Sequence, residues 1–407
     1  MSIEIRPVVD SEIEEYLKPI TIAFGRDVHP DAIERERLVS EIDLRIGAFD
    51  GREVVGSAAS YNLRVTVPGG GSVATSWLTR AAVLPTHRRR GILTSMLRLF
   101  LDEARRRGQV LSGLFASEGA IYGRYGYGAA TLAGTIELPR DKSAFVDGPI
   151  PRARVRFVSE EEALPLFAPI WDRVRAVTPG MATRSEGWWR ARRISDPEWL
   201  RAGRTSLRRV VLEIDGYPRG YALYRTSTGE NGYVITGVLD IQEAIADSPE
   251  ANRALWRWLC DIDFADTIHC GGLPVDHPLF FLLADARQMR MTVHDAVWMR
   301  LVDVERALSE RAYAGGSSGS PLVLEVSDAF CPWNAGRYLL SGGVATRTDR
   351  APDISLSASA LASAYLGGFN FTQLAQAGRI IENTQGALLH ADALFRSSRA
   401  PWCPEVF

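Results

Sequence analysis

The 407-residue sequence has no long apolar run and almost no net charge. No stretch approaches the roughly 18 consecutive apolar residues that a membrane span requires. The N-terminal segment carries charged side chains too early for a signal peptide. The formal net charge of −2 provides no electrostatic case for binding nucleic acid or an anionic membrane surface. We therefore expect a cytoplasmic protein that binds neither.

Cysteine and histidine are also scarce, and neither residue is spaced as metal sites require. The four cysteines, Cys260, Cys270, Cys331 and Cys403, include no C-x-x-C pair. This spacing favours reduced, buried thiols over a zinc site or a disulfide framework. The six histidines form no H-x-x-x-H or H-x-E pattern. No metal is expected.

The length of the chain predicts two or three domains. In the first region the hydrophobic pattern predicts a strand at 2–7, a hairpin around Asp50-Gly51 and a strand at Val73–Val83. A strongly amphipathic helix at Ile92–Arg107 and a buried strand at Val110–Phe115 follow. A helix between Asp31 and Ile42, a helical turn at Ala120–Tyr125 and a strand at Ala129–Leu138 complete this region.

The same order of elements recurs after residue 151. Ser159 and Glu162 form a capping box, Asp215-Gly216 marks a second hairpin, and Ser248-Pro249 begins a helix. We interpret this recurrence as a duplicated domain. A third region begins near Val302, and its glycine-serine run at 315–320 is either a linker or an internal loop.

The segment that follows the strand ending at Val83 carries a phosphate-binding signal. Arg88, Arg89 and Arg90 precede Gly91, and a helix begins directly afterwards. Helix N-termini offer unpaired N–H groups and partial positive charge, glycine permits close approach, and arginine bonds phosphate oxygens. The alternative to a phosphate site is that these arginines are simply solvent-exposed side chains on a surface loop. The spacing matches neither a P-loop nor the G-x-G-x-x-G fingerprint.

These residues resemble a known superfamily. Arg88-x-x-Gly91-x-Leu93 resembles the Q/R-x-x-G-x-G/A acetyl-CoA loop of GNAT N-acetyltransferases, although Leu93 stands where a small residue is usual. The closer resemblance is to the Eis (enhanced intracellular survival) acetyltransferases and covers essentially the whole chain. It is carried by five segments: Pro85–Gly91, Ala116–Gly119, Ile121–Gly128, Gly220–Arg225 and Leu322–Asp328.

The resemblance implies a mixed α/β (α+β) fold in three parts. A catalytic GNAT domain (1–150) is followed by a degenerate GNAT-like domain (151–300) and a sterol-carrier-protein-like domain (301–407). It also implies acetyl-CoA as acyl donor, a small-molecule amine as acceptor, and a homo-hexamer. The second unit has no arginine-glycine loop before Ser248, so we expect only the first to bind coenzyme A.

The resemblance also implies the residues of the site. Tyr122 is the catalytic acid, Tyr125 and Tyr127 pack in the core, and the carboxylate of Phe407 is the base. The sequence around Phe407 favours a docked tail over a disordered one. The implied cofactor-binding residues are Ala81, Ala82, Val83, Arg88, Arg89, Arg90, Gly91, Ile92, Leu93, Thr94, Ser117 and Glu118. Ser117 and Glu118 could instead cap the helical turn that follows.

The substrate pocket is where this chain departs from its relatives. The implied substrate-binding residues are Phe24, Asp27, Arg80, Phe115 and Val406. In that comparison Phe115 replaces a histidine, Arg80 an aromatic residue and Val406 an acidic one, changes that disfavour a polycationic aminoglycoside. The second predicted helix carries three acidic residues that either supply carboxylates to the pocket or form a solvent-exposed helix face. They are Glu34, Glu36 and Glu41. The acceptor is thus an aminoglycoside, a lysine-like amine or another polyamine. The alternative function is a non-catalytic coenzyme-A or lipid sensor.

Overall fold

The computed structural model describes residues 3–25, 27, 29–39, 44–149, 152–231, 234–314 and 320–406. The first third of the chain alternates strands with helices. Its elements are β1 (Glu4–Pro7), α1 (Ile13–Ala23), α2 (Pro30–Val39), β2 (Arg45–Asp50), β3 (Glu53–Thr66), β4 (Ser72–Val83), α3 (Ile92–Arg106), β5 (Leu111–Phe115), α4 (Gly119–Tyr122) and β6 (Gly128–Ala129).

The middle of the chain repeats this order. Its elements are β7 (Leu132–Pro139), β8 (Ala153–Phe157), α5 (Glu160–Arg175), α6 (Glu186–Trp188), β9 (Arg208–Ile214), β10 (Tyr217–Asn231), β11 (Val234–Ala246), α7 (Pro249–Cys260), β12 (Thr267–Leu273), α8 (Leu279–Leu282), β13 (Thr292–Asp295) and β14 (Val297–Leu301). The predicted capping box is present, because Ser159 Oγ accepts the Glu162 N–H and the Glu162 carboxylate accepts the Ser159 N–H.

The last third forms a separate sheet covered by helices. Its elements are α9 (Val304–Ser309), β15 (Leu322–Ser327), β16 (Gly336–Ser341), β17 (Val344–Arg347), β18 (Ile354–Ser357), α10 (Ala358–Tyr365), α11 (Phe371–Gln376), β19 (Ile380–Glu382) and α12 (Ala387–Phe395). The strand order is β17-β16-β15-β18-β19. The predicted helix at Val304–Ala314 is shorter and ends at Ser309. Positions 315–319 of the glycine-serine run lie outside the described residues.

The two larger sheets exchange strands. The first has the order β1-β2-β3-β4-β5-β14-β6, and the second has the order β13-β7-β12-β11-β10-β9-β8. The sequence places the strand at Ala129–Leu138 in the first unit, but β7 pairs with β12 and β13 of the second. Conversely, β14 lies between β5 and β6. Strand pairing therefore crosses the predicted limit at residue 150.

Helix α3 shows why the first sheet holds its shape. One face of the helix is buried against the sheet, as its periodicity predicts. The buried side chains on that face are Ile92, Met96, Leu97, Phe100, Leu101 and Ala104. Burying each large apolar side chain contributes about 1.5–3 kcal/mol. This packing fixes the position of the N-terminus of the helix relative to the end of β4. All four cysteines are buried and free, as expected.

Candidate active site

A cleft opens where two parallel strands of the first sheet diverge. β4 and β5 pair only from Thr75 opposite Leu111 to Trp77 opposite Gly113. Beyond Trp77, β4 still pairs with β3 but no longer with β5. The main chain at Ala81–Val83 therefore presents an edge with free hydrogen-bonding groups to the cleft. An extended, amide-bearing chain can pair with such an edge.

A β-bulge turns the side chains at this point. The pairing between β3 and β4 shifts register between Ser57 and Ala59, opposite Arg80. Arg80 has a φ of 53°, a left-handed conformation that is unusual for a residue other than glycine. Bulges re-aim side chains and bend the strand. Here the bulge coincides with the divergence of the two strands and directs Arg80 into the cleft.

The loop from Arg88 to Gly91 leaves the N-terminus of α3 open. Gly91 has a φ of 77° and caps the helix without a side-chain hydrogen bond. The first helical bond runs from the Ser95 N–H to the Gly91 carbonyl at 3.0 Å, so the amides before Ser95 have no partner within the helix. Apart from its own neighbours and helix, no described residue has an atom within 4 Å of a Cβ built on Gly91, so a ligand can approach the backbone. An open helix N-terminus is the kind of site that accepts a diphosphate. A solvent-exposed run of arginines on a surface loop would not need such a feature.

The side chains around this loop provide positive charge without blocking the helix end. Arg88 Nε donates to the Val83 carbonyl at 3.4 Å, and Arg90 lies 3.9 Å from the Asp50 carboxylate. Arg89 adopts a left-handed φ of 63°. The Thr94 hydroxyl is 3.0 Å from the hydroxyl of Tyr125. Because a hydroxyl both donates and accepts, the Thr94 side chain keeps capacity for a further partner beside its backbone N–H.

Tyr122 lies at the end of α4, beneath the cleft. Its side chain is buried and borders the same cavity as Ser117. Burial raises the pKa of Tyr122, and the Ser117 side chain partly opposes this effect. A raised pKa keeps the phenol protonated at neutral pH. A protonated phenol thus borders the cavity.

The neighbouring tyrosines have packing roles, as the sequence predicts. Tyr125 and Tyr127 are buried in the same core cluster. The Tyr127 hydroxyl lies 2.7 Å from the Ser112 hydroxyl, within the sheet rather than in the cleft. Glu118 caps α4 without a side-chain hydrogen bond, so the capping alternative is not observed for Glu118.

A cavity of about 330 Å³ joins Tyr122 to four of the five predicted substrate residues. Phe24, Arg80, Phe115 and Val406 line it, together with Ala81 and Ser117. Six further lining residues were not predicted: Ile20, Thr21, Leu78, Thr79, Leu114 and Arg192. Asp27, the fifth predicted residue, is exposed and does not border the cavity. Most unpredicted residues follow from the periodicity of α1, β4 and β5, but Arg192 comes from the second unit and has no local sequence signal.

Glu36 corrects the interpretation of α2 as a solvated acidic face. Its side chain is 2% exposed and forms an ion pair with Arg80. Arg192 lies 3.8 Å from the same carboxylate and donates to the Tyr61 hydroxyl at 2.8 Å. Burial would lower the pKa of Arg80, but Glu36 outweighs it and the pKa is raised. Two guanidinium groups thus share one carboxylate at the wall of the cavity. Glu34, in contrast, pairs with Arg37 at the surface, as a solvent-exposed residue would. Glu41 lies outside the described residues.

The C-terminal segment is docked, as its composition predicts. Glu405 is buried and pairs with Arg184 and Arg193 of the second unit, and the Trp188 indole donates to it at 3.0 Å. Arg184 also bonds Glu243 at 2.9 Å, so the cluster holds two carboxylates and two guanidinium groups. This anchor brings Val406 to the cavity. Phe407 lies outside the described residues.

Comparisons with known proteins agree with this geometry. Family models described as acetyltransferase (GNAT) domain match residues 4–130 and 180–301. A model described as sterol carrier protein domain matches residues 304–404. N-acetyltransferase Eis from Mycobacterium tuberculosis is 35% identical over 363 residues, covering 87% of this chain and 86% of that protein. The chain belongs to the Eis family of GNAT N-acetyltransferases.

Other similar proteins match over the full length. An uncharacterized N-acetyltransferase from Streptomyces avermitilis is 37% identical, covering all of both chains. The crystal structure of Eis1 from Mycobacterium abscessus superposes with a TM-score of 0.86 at 33% identity, covering 99% of this chain and all of that one. The predicted fold, tandem GNAT units followed by a sterol-carrier-protein domain, is confirmed, and the protein is an acetyltransferase.

The described residues also lack two kinds of feature. Among them, no helix has both the length and the apolar character needed to cross a bilayer. Nor does any group of three or more His, Cys, Asp or Glu side chains in that part of the chain gather as a metal site would require.

Proposed function

We propose that this Eis-family chain transfers an acetyl group from acetyl-CoA to the amine of a small acceptor bound in the cavity above Tyr122. The observation that carries the proposal is the arrangement of three features along one cleft. These are the open N-terminus of α3, the unpaired edge of β4 at Ala81–Val83, and the buried Tyr122 hydroxyl. Each fits one part of the donor: its diphosphate, its amide-bearing arm and its thioester.

Acetyl-CoA supplies an activated acyl group, and the protein positions the two substrates and transfers the protons. The acceptor nitrogen attacks the thioester carbonyl carbon, so a C–N bond forms and the C–S bond breaks. Tyr122 is proposed to give its proton to the leaving sulfur, because burial keeps the phenol protonated. The amine proton must go to a base, and we propose the carboxylate of Phe407, as the Eis resemblance implies. The docking of Glu405 and Val406 supports this role.

The walls of the cavity favour a particular acceptor. Of the described residues that line it, the charged ones are Arg80 and Arg192. They share the single buried carboxylate of Glu36. A polycation would bring further positive charge beside two guanidinium groups whose charge is only balanced by Glu36 and the proposed Phe407 carboxylate. We therefore propose an acceptor with one amine and an apolar or aromatic body that packs on Phe24 and Phe115, and not an aminoglycoside.

A thiol-release assay with acetyl-CoA tests this function. An arylalkylamine such as phenethylamine should be acetylated at a higher kcat/KM than a lysine analogue or an aminoglycoside. Tyr122→Phe should slow turnover by about 10²–10⁴-fold while coenzyme A affinity stays nearly unchanged. Tyr217→Phe is the matched control, because Tyr217 is 72% exposed and does not border the cavity.

The sensor alternative has a separate outcome. A non-catalytic coenzyme-A or lipid sensor would show stabilisation by coenzyme A or lipid without turnover of any amine. That result would overturn the transferase proposal. The homo-hexamer implied by the resemblance belongs to the same proposal, and light scattering on the full chain should give the mass of six chains.

A further inference from the structure

The second GNAT unit contains a cleft at the position that corresponds to the proposed donor site of the first. β11 and β12 pair in parallel only from Val238 opposite Thr267 to Ile241 opposite Cys270. Beyond that point β11 remains paired with β10 but not with β12, so its edge at Ala244–Ala246, which lines a cavity, is open. A cavity of about 420 Å³ lies between the diverging strands. The degenerate unit has therefore kept the opening that the first unit uses.

The phosphate-binding features are absent from the described part of this second cleft. Where the first unit has its arginine loop, the second has Asp247, which is bonded at 2.7 Å by both Arg173 and Arg219. Ser248 Oγ already accepts the Ala251 N–H at 3.2 Å, and Pro249 at the first helical position has no N–H. The N-terminus of α7 is thus occupied by its own chain. The two guanidinium groups at this position are already engaged by Asp247.

Two buried polar side chains, Thr178 and His277, line the cavity, and His277 is the one that can offer a hydrogen to a ligand. His277 is 7% exposed. Its Nδ1 accepts the Leu279 N–H at 3.1 Å, which places the proton on Nε2. No acceptor for that Nε2–H is found among the described residues. Much of the remaining wall is apolar and includes Ile245, Leu273 and Trp402.

We propose that this second cleft binds an uncharged, elongated chain that carries amide groups, of the pantetheine type and without a nucleotide. The open edge at Ala244–Ala246 pairs with the amides of the ligand, and His277 Nε2–H donates to one of its carbonyl groups. The apolar wall packs against its methylene and methyl groups. This site is independent of the donor site in the first unit, because the two clefts belong to different sheets.

The cleft also contacts the segment that ends at the first cavity. Trp402 lines it while its indole donates to the Gly272 carbonyl at 2.6 Å. The Ala400 N–H bonds the Asp276 carboxylate at 2.8 Å. Four residues after Trp402, Val406 borders the acceptor cavity. A ligand in the second cleft packs against Trp402 and holds this tail in its docked position.

Calorimetry on the full chain, with the first site saturated by coenzyme A, tests the proposal. Reduced pantetheine is the probe, and a second binding event with one site per chain is expected. 4′-Phosphopantetheine should bind no tighter, because Ser248 and Pro249 already cap the helix N-terminus that would otherwise receive its phosphate. No binding of pantetheine, or a clear preference for the phosphorylated probe, would overturn the assignment.

Two variants locate the binding event. His277→Phe removes the donor and should weaken pantetheine binding about tenfold, the effect of one lost hydrogen bond. Val177→Trp fills the cavity from a rim position that is 54% exposed and should abolish binding without altering the core. Arg88→Gln, in the first unit, should weaken coenzyme A binding and leave pantetheine binding unchanged. Pantetheine binding that survives both second-unit substitutions would place the ligand elsewhere and end the proposal.

Discussion

Arg300 and Asp328 form a buried ion pair, with Arg300 Nη2 2.6 Å from Asp328 Oδ2. Arg300 belongs to β14 of the first sheet, and Asp328 follows β15 of the sterol-carrier domain. The same guanidinium donates to the carbonyl of Tyr125, three residues after Tyr122. The pair thus links the last domain to the turn that carries the proposed catalytic acid.

Arg300→Met should destabilise the protein by about 3–5 kcal/mol, because it leaves the Asp328 carboxylate buried without its charge partner. It should also lower kcat more than it raises KM, since the turn at Tyr125 loses its donor. Thermal melting and steady-state kinetics measure the two effects. Arg337→Met is the control, because its pair with Glu325 is 39% exposed on both sides and contributes about 0–1 kcal/mol.

Gly126→Ala should be strongly destabilising. Gly126 has a φ of 81°, and a Cβ there would lie 1.6 Å from Arg300 Nη1. Left-handed strain alone costs about 1–3 kcal/mol, and the clash adds to it. Gly123→Ala is the matched control in the same turn, because a Cβ there meets nothing within 4 Å and its φ is −56°. Equal melting temperatures for the two variants would contradict this account.

Glu405→Ala should release the tail from the second unit. It leaves Arg184 and Arg193 with one carboxylate, that of Glu243, and should cost about 3–5 kcal/mol. Because the tail carries Val406 to the cavity, turnover should fall as well. Deleting Phe407 should lower the turnover rate without this loss of stability. The two variants therefore separate the proposed role of Phe407 as the base from the role of Glu405 in anchoring the tail. Glu250→Ala, at an exposed position, is the control.

His277 should make stability depend on pH below neutrality. Burial lowers its pKa from the usual 6.5 to about 4, so the folded state stays neutral where the unfolded chain binds a proton. The contribution of neutral His277 to the free energy of unfolding is therefore present in full above pH 6.5. It falls as the pH drops towards 4, by about 3 kcal/mol in total. Melting temperatures from pH 7 to 4.5 should show a shallower decline in His277→Phe. An identical decline in the variant would contradict the prediction, and the exposed His294→Gln serves as control.

A fragment of residues 1–150 should not fold. It lacks β14, which lies between β5 and β6, and it contains β7 without its partners β12 and β13. Circular dichroism and soluble yield of the fragment, compared with those of the full chain, measure this. A stable fragment with the helix content of the first unit would show that the exchanged strands are dispensable.

The sequence predicted what depends on local pattern. The amphipathic face of α3, the hairpin at Asp50-Gly51 and the capping box at Ser159 each follow from residues close together in the chain. So does the phosphate signal at Gly91, because its strand and helix are adjacent.

The sequence did not predict what depends on contacts between distant residues. The residues around Arg192 carry no signal that its side chain reaches the cavity of the first unit. The residues of β14 have the pattern of an ordinary short apolar strand. Glu36 has the sequence surroundings of a surface residue, yet the β-bulge at Arg80 gives it a buried partner. Such pairings are set by topology, which a single sequence pattern does not encode.

The exchanged strand has a consequence for biosynthesis. At about 5–20 residues per second, a ribosome needs on the order of tens of seconds to pass from β5 to β14. During that interval the nascent first sheet has an exposed edge, which invites pairing with other chains. We expect this protein to need chaperone protection while it is being made, and its acetyltransferase activity to emerge only after most of the polypeptide has left the ribosome.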